Sequence, residues 1–371
     1  MPLKVVKRAK SENFYLRGNV SGQSIFESTG TSDRRIAEEI RRKREAELWQ
    51  ETVYGKRAVI TFAEAVTAYL DDRPRSQATQ RYLLRLMPYF GKMRLSDIDG
   101  TCLRGAYQSI LRDGESASPA TKKRAVRTPL QAILEFGAIQ KWCDRPAFPT
   151  ISVQKKPRRF LRPEEANRLV EAAAPHLQPL LVFLLATGCR VSEALDLEWS
   201  RVDLRGRRAV VWQKQARERH VDLPPVAYEW LSSIPYRDGH VFRPLVKTRY
   251  GMGLGDRYHD AGRQYGGQIK SGWSGACHRA GLPGHMREWV PRGQKTARRF
   301  FVPEHTPHCL RHTWATWHYC VHKDLLKLQA DGDWSEIKTV TGYAKLMPDT
   351  YRDEIIRWWS HGPDILRQTP E

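Results

Sequence analysis

The chain has 371 residues, enough for two or three domains with cores of their own, and its 40% hydrophobic content excludes a disordered polymer. Sixty-two Lys and Arg against 41 Asp and Glu leave a formal net charge of +21, spread over the whole length, which implies an anionic partner, nucleic acid first. The six cysteines form no Cys-x-x-Cys pair, the basic N-terminus lacks an apolar signal core, and the apolar run Pro179 to Ala186 is too short for a bilayer. We therefore expect reduced thiols and a cytoplasmic protein with no membrane partner.

In chain order, Phe14-Tyr15-Leu16 and Ser24-Ile25-Phe26 read as short strands about a turn at Ser21-Gly22. Any of Thr31, Ser32 and Asp33 can cap the charged helix that follows, whose apolar stripe is Ile36, Ile40 and Leu48. This module, residues 1–55, is either a DNA-binding arm or a docking element. A helical domain spans 58–145, opened by the capping-box pattern Thr61-Phe62-Ala63-Glu64. Its helix beginning at Ser118-Pro119 carries Lys122, Lys123, Arg124 and Arg127 in its first turns, where the helix dipole adds to their attraction for phosphate. An ordinary solvated face is the other reading of those four. Residues 146–159, with Pro146, Pro149 and Pro157 and the basic run Lys155, Lys156, Arg158 and Arg159, form an extended linker suited to track a nucleic-acid backbone.

The last domain, 160–371, holds the chemistry-bearing residues. Gly188 should end an apolar helix, after which Arg190 and Glu193 share a face at i,i+3, as a salt bridge or as a clamp for phosphate. Ala209–Trp212 and Arg219–Leu223 read as a hairpin with Lys214 at its turn, solvated or reaching a groove as a proton donor. Thr306 as N-cap and Pro307 at the first helical position put His308 and Arg311 at a helix start. Arg311 can offer two parallel donors to a phosphate, and His308 can exchange protons near neutral pH. The pairs His308/His312 and His318/His322 have zinc-like spacing, but a His-Glu-x-x-His helix needs Glu where Cys309 stands, so no metal is expected.

Taken together, Thr187-Gly188-Cys189-Arg190-Val191-Ser192-Glu193, Lys214, His308-x-x-Arg311, Trp334 and Tyr343 follow the order and approximate spacing of the tyrosine recombinase (phage integrase) family. The likeness is specific over about residues 160–360, and Trp334 stands nine residues before Tyr343, as the family's third box requires, which selects Tyr343 over Tyr351. The resemblance implies a multidomain α+β architecture with three parts. These are a small strand-plus-helix N-terminal module similar to an arm-binding domain, an all-α core-DNA-binding domain, and a mainly α catalytic domain with a small antiparallel β-sheet. It implies a site-specific recombinase that integrates and excises a mobile element through a 3′-phosphotyrosyl intermediate.

In that scheme Tyr343 attacks phosphorus and His308 is its base. Lys214 protonates the leaving 5′ oxygen, Arg190 and Arg311 bind the non-bridging oxygens, Trp334 donates its indole N–H, and Glu193 orients Arg190. No cofactor is implied. The implied partners are double-stranded DNA attachment sites, three further copies in a tetramer on DNA, and a DNA-bending helper or excision factor, with the protein associated with the nucleoid of a bacterial-type host. The apolar tail residues Ile355, Ile356, Trp358 and Trp359 are expected on a neighbouring subunit. Asp333 departs from the small residue usual before the third box, and the long basic stretches 247–270 and 285–299 are loops, interaction surfaces or insertions. The competing readings are a type IB topoisomerase-like strand transferase and a catalytically silent DNA-binding recombination factor.

Overall fold

The computed structural model describes residues 3–8, 11–20, 23–54, 59–154, 157–212, 218–249, 251–258, 269–290, 296–344 and 346–363. The chain divides into two compact units, Met1–Lys155 and Lys156–Glu371.

In the first unit, β1 (Lys4–Lys7), β2 (Phe14–Val20) and β3 (Gln23–Ser28) form an antiparallel meander, with Lys4 opposite Arg17 and Tyr15 opposite Ser28. Helix α1 (Arg34–Tyr54) packs on it, and Leu3, Leu16, Ile25 and Leu48 make a small core. Asp33 is the capping residue, its carboxylate accepting from the Arg35 N–H at 2.7 Å. Of the expected stripe, Ile36 is exposed, and Ala37 takes the inward position.

A separate core of Phe62, Leu83, Leu86, Phe90, Leu103, Val126, Leu130 and Ile133 joins α2 (Phe62–Asp72), α3 (Gln77–Phe90), α4 (Cys102–Ile110) and α6 (Thr128–Ile139), while the short α5 (Pro119–Lys122) buries no residue. The Thr61 capping box is complete: its hydroxyl accepts from the Glu64 N–H, and the Glu64 carboxylate accepts from the Thr61 N–H at 2.8 Å. Lys122 closes α5, and the other three basic residues, Lys123, Arg124 and Arg127, lie between α5 and α6 on a π-turn, Lys123–Arg127. Pro129 has no N–H for the Ala125 carbonyl, and the widened turn absorbs that missing bond.

The second unit is built around α8 (Gln178–Thr187), whose residues Leu180 to Thr187 are all buried, preceded by α7 (Pro163–Glu171) and followed by α9 (Val191–Leu195). Next come the antiparallel sheet β4 (Val202–Asp203), β5 (Arg208–Trp212), β6 (Glu218–Asp222) and helix α10 (Pro225–Ser232). The stretches left open in the sequence hold two hairpins, β7 (Leu245–Thr248) with β8 (Gly251–Leu254), and β9 (Gly284–Trp289) with β10 (Arg298–Pro303), on either side of α11 (Lys270–Arg279). The chain then runs through α12 (Cys309–His322), α13 (Leu325–Gly332), α14 (Ile337–Val340), a 3₁₀ turn Thr341–Tyr343 and α15 (Arg352–His361). Helices α10 and α12 both pack on α8.

Two expectations change. Helix α12 begins at Cys309, not Pro307, because residues 306–308 form a tight turn in which the Thr306 carbonyl accepts from Cys309 N–H at 2.8 Å. Of the four tail residues expected on a neighbour, Ile356 is exposed and Trp359 half-buried, while the other two turn inward. Ile355 and Trp358 are buried in their own unit's core, and the Trp358 indole donates to Asn167 Oδ1 at 2.8 Å. Residues 364–371 lie outside the described residues.

Candidate active site

Tyr343 sits in the 3₁₀ turn after α14 and is 3% exposed. Its hydroxyl lies 2.7 Å from His312 Nδ1, not beside His308, the residue the sequence singled out as base. With its proton on Nε2, His312 can take the phenolic proton at Nδ1. His312 is held down to about 4 by burial, then by the neighbouring His308, Arg158 and Arg311, so it is neutral at physiological pH. Burial raises the Tyr343 phenol, while Arg158 and Arg311 pull it back. His308 packs edge-on against His312 with ring centroids 4.7 Å apart, and its pKa is lowered by burial and by Arg311 and Arg190.

The arginines come from three elements. Gly188, at φ +63, ends α8, and a Cβ there would strike the Trp314 indole. The chain turns at once into Arg190, the N-cap of α9, whose backbone N–H donates to Glu193 Oε2 at 2.8 Å while its guanidinium pairs with Oε1 of the same carboxylate. Arg311, on the first turn of α12 and 3% exposed, donates from Nη1 to the Gly188 carbonyl at 2.6 Å and from Nη2 to the Gly332 carbonyl at 2.7 Å. Its Cζ lies 4.3 Å from the Trp334 ring centroid. Burial lowers its pKa to about 10, with the charges of Arg219 and Arg190 adding, so it stays cationic at neutral pH. Trp334 packs between this guanidinium, Trp314 at 6.1 Å and Tyr343 at 5.7 Å, measured between ring centroids. Asp333 beside it adopts φ +49, the left-handed conformation that glycine favours.

One contributor escaped the sequence reading, and a second was read there only as a DNA-tracking linker residue. Arg219, on β6 and 6% exposed, donates from Nη2 to the carbonyls of Thr187 at 3.1 Å and Asp331 at 2.7 Å, and its Nη1 lies 3.6 Å from Glu193. It therefore ties the Gly188 turn to the turn after α13, as Arg311 does one residue further along each. The other is Arg158, whose guanidinium lies 4.4 Å over the Tyr343 ring. Arg190 and Arg219 on the one Glu193 carboxylate, with Arg311 and Arg158 besides, leave an excess of positive charge beside a phenol and two imidazoles. Such a pocket can hold a phosphodiester and accept a proton from an attacking hydroxyl.

Lys214 falls on residues outside those described, as do Lys155 and Lys156. Lys123 and Arg124 are exposed on the π-turn, and Lys122 lies over the Tyr107 ring at 5.3 Å. Arg127 is half-buried and bonds the Phe148 carbonyl at 3.1 Å, so it pins the linker to the helical domain. Arg159 pairs with Glu304. His318, expected at metal-like spacing with His322, places Nε2 2.7 Å from the Asp331 carboxylate.

Residues 159–240, which include Arg190 and Arg219, match the phage integrase family. The integrase of Salmonella phage P22 is 26% identical over 376 residues, covering 89% of this chain and 87% of that protein. Among solved structures, the fold is shared with a lambda integrase(75-356) dimer bound to a COC' core site, at a TM-score of 0.55 and 15% identity over 78% of this chain and 98% of that one. It is also shared with the Tn1549 transposon integrase in complex with transposon right end DNA, at a TM-score of 0.50 and 18% identity over 80% and 99%. With a phenol, two histidines and paired arginines gathered on the matching fold, the matched family segment and the relative that spans most of the chain support a tyrosine recombinase of the phage integrase type, one that breaks and rejoins DNA at specific sites.

Proposed function

We propose that the chain integrates and excises a mobile element at double-stranded DNA attachment sites, acting in the cytoplasm on nucleoid DNA as a tetramer, with a DNA-bending helper or excision factor setting direction. The observation that carries the site assignment is the 2.7 Å contact of the Tyr343 hydroxyl with His312 Nδ1, next to Arg190 and Arg311. In the reaction, Tyr343 Oη attacks phosphorus and its proton passes to His312. The bond from phosphorus to the 5′ oxygen breaks, and Lys214 gives that oxygen its proton. A 3′-phosphotyrosine and a free 5′-hydroxyl result. Arg190, Arg311 and His308 donate to the non-bridging oxygens, Trp334 packs Arg311 in place, and Glu193 orients Arg190. A preorganised donor of this kind is worth about 3 kcal/mol or more of transition-state stabilisation. The ester keeps the bond energy, so a second strand's 5′-hydroxyl reverses the step without cofactor.

Lys123 and Arg124 are free to meet phosphate, and counterion release makes affinity fall with salt. The test is covalent trapping on nicked duplexes from the ends of the element, followed by digestion and mass spectrometry. A nucleotide adduct on Tyr343, lost in Tyr343→Phe, is expected. An adduct on Tyr351 would move the nucleophile, and tight binding with no adduct would favour a silent DNA-binding factor. Relaxation of supercoils without joined products would favour a topoisomerase.

A further inference from the structure

We propose that Arg158 is a positioning residue for the nucleophile: its guanidinium covers the Tyr343 ring, keeps the hydroxyl seated on His312, and opposes the negative charge that develops as the phenol loses its proton. The inference rests on Tyr343 being the attacking residue.

The geometry is specific at both ends of the side chain. The Arg158 guanidinium lies 4.4 Å from the Tyr343 ring centroid, and its Nη2 donates to the Thr339 carbonyl at 3.2 Å. It thus grips α14 and the turn that carries the tyrosine. Gly342 leaves room for it, since a Cβ at that position would collide with the guanidinium. The backbone on the C-terminal side of Arg158 is fixed to the same unit. Arg159 pairs with Glu304, the Leu161 N–H donates to Thr313 Oγ1 at 2.9 Å, and the Trp317 indole donates to the Leu161 carbonyl at 2.9 Å. Both Thr313 and Trp317 stand on α12, the helix that also bears His312, so one short segment holds nucleophile and acceptor in register.

A phenolate spreads its charge over the ring as well as the oxygen, and a guanidinium over the ring face favours that form. The charged and titratable groups facing Tyr343 are Arg158 from the linker and His312 and Arg311 from α12. Arg311 is committed to two carbonyls and is assigned to the phosphate, which leaves Arg158 as the cation aimed at the ring itself.

The experiment measures single-turnover formation of the covalent adduct on a nicked duplex at saturating protein, alongside DNA affinity and its salt dependence. It compares the full-length chain with Arg158→Ala and Arg158→Lys. It is repeated with sulfur in place of the bridging 5′ oxygen, which leaves without a proton donor. Arg158→Ala is expected to slow adduct formation about tenfold, the equivalent of one pKa unit on the attacking group. The defect should persist with the sulfur substrate, and Arg158→Lys should recover part of the rate. Unchanged single-turnover rate with weaker binding and a shallower salt slope would make Arg158 a DNA-backbone contact and overturn the proposal. Faster cleavage by Arg158→Ala would make it a latch that holds the tyrosine back, which also overturns it. Should the wild-type chain form no adduct on Tyr343, the strand-cleavage assignment fails and this role with it, whereas a normal wild-type adduct with an unaffected variant removes the role alone.

Discussion

His312 and Arg219 show how far side-chain identity alone carries this site. The spacing of Arg190, Arg311, Trp334 and Tyr343 could be read along the chain because each lies in a local pattern with a turn or a helix start. Yet His308 and His312 differ by one helical turn, and only the placement of the 3₁₀ turn decides which ring meets the phenol. Arg219 looked like an ordinary strand residue. Its function depends on two carbonyls, at Thr187 and Asp331, that are distant in sequence. His312→Phe keeps the ring's bulk but removes the acceptor, so adduct formation on nicked DNA should fall about a hundredfold or more while binding is kept. His308→Phe should instead weaken phosphate engagement. Equal loss of the chemical step in both variants, measured in single-turnover assays, would return the base to His308.

Helices and turns divide along a similar line. Caps and glycine stops are written locally, so the Thr61 box and the Gly188 stop appear where the residues call for them. The π-turn at 123–127 and the hairpins β7–β8 and β9–β10 were not legible, because the first answers a missing proline N–H and the others lack clean two-residue alternation. The apolar tail was legible as apolar but not as to its partner, since hydrophobicity carries no address. Helix α15 packs on α10, α12 and α7, with Trp358 3% exposed and its ring 5.3 Å from Trp317. Trp358→Ala should therefore cost about 3–5 kcal/mol of folding stability, as a core tryptophan does. The loss should be independent of protein concentration in urea unfolding; a concentration-dependent loss would restore the tail as a subunit contact.

Across the whole molecule, net charge and histidines with lowered pKa act together. The chain carries +21 before any histidine is protonated, and acid adds to that self-repulsion. His312 is held at about 4, and His308 and His305 also lie below their ordinary 6.5, with burial the leading cause in each. An unfolded chain protonates these rings near 6.5, so between about 6.5 and 4 the unfolded state binds more protons than the folded one. Stability is full above 6.5 and falls as pH falls through that window. Burial would raise the Asp331 carboxyl, but bonds from His318 and Lys327 hold it at about 2, so its contribution is lost only in stronger acid, below its ordinary 3.8. A phosphodiester set against His308 and His312 favours their protonated forms and raises both values, so DNA binding takes up protons and tightens as pH falls. Thermal unfolding with and without a duplex of the attachment site, at pH 5 and pH 7.5 and constant ionic strength, should show Tm dropping in acid for the free chain and dropping less for the complex. The same drop in both would mean that DNA phosphate does not reach these two rings, and the site would have to be moved away from His308 and His312.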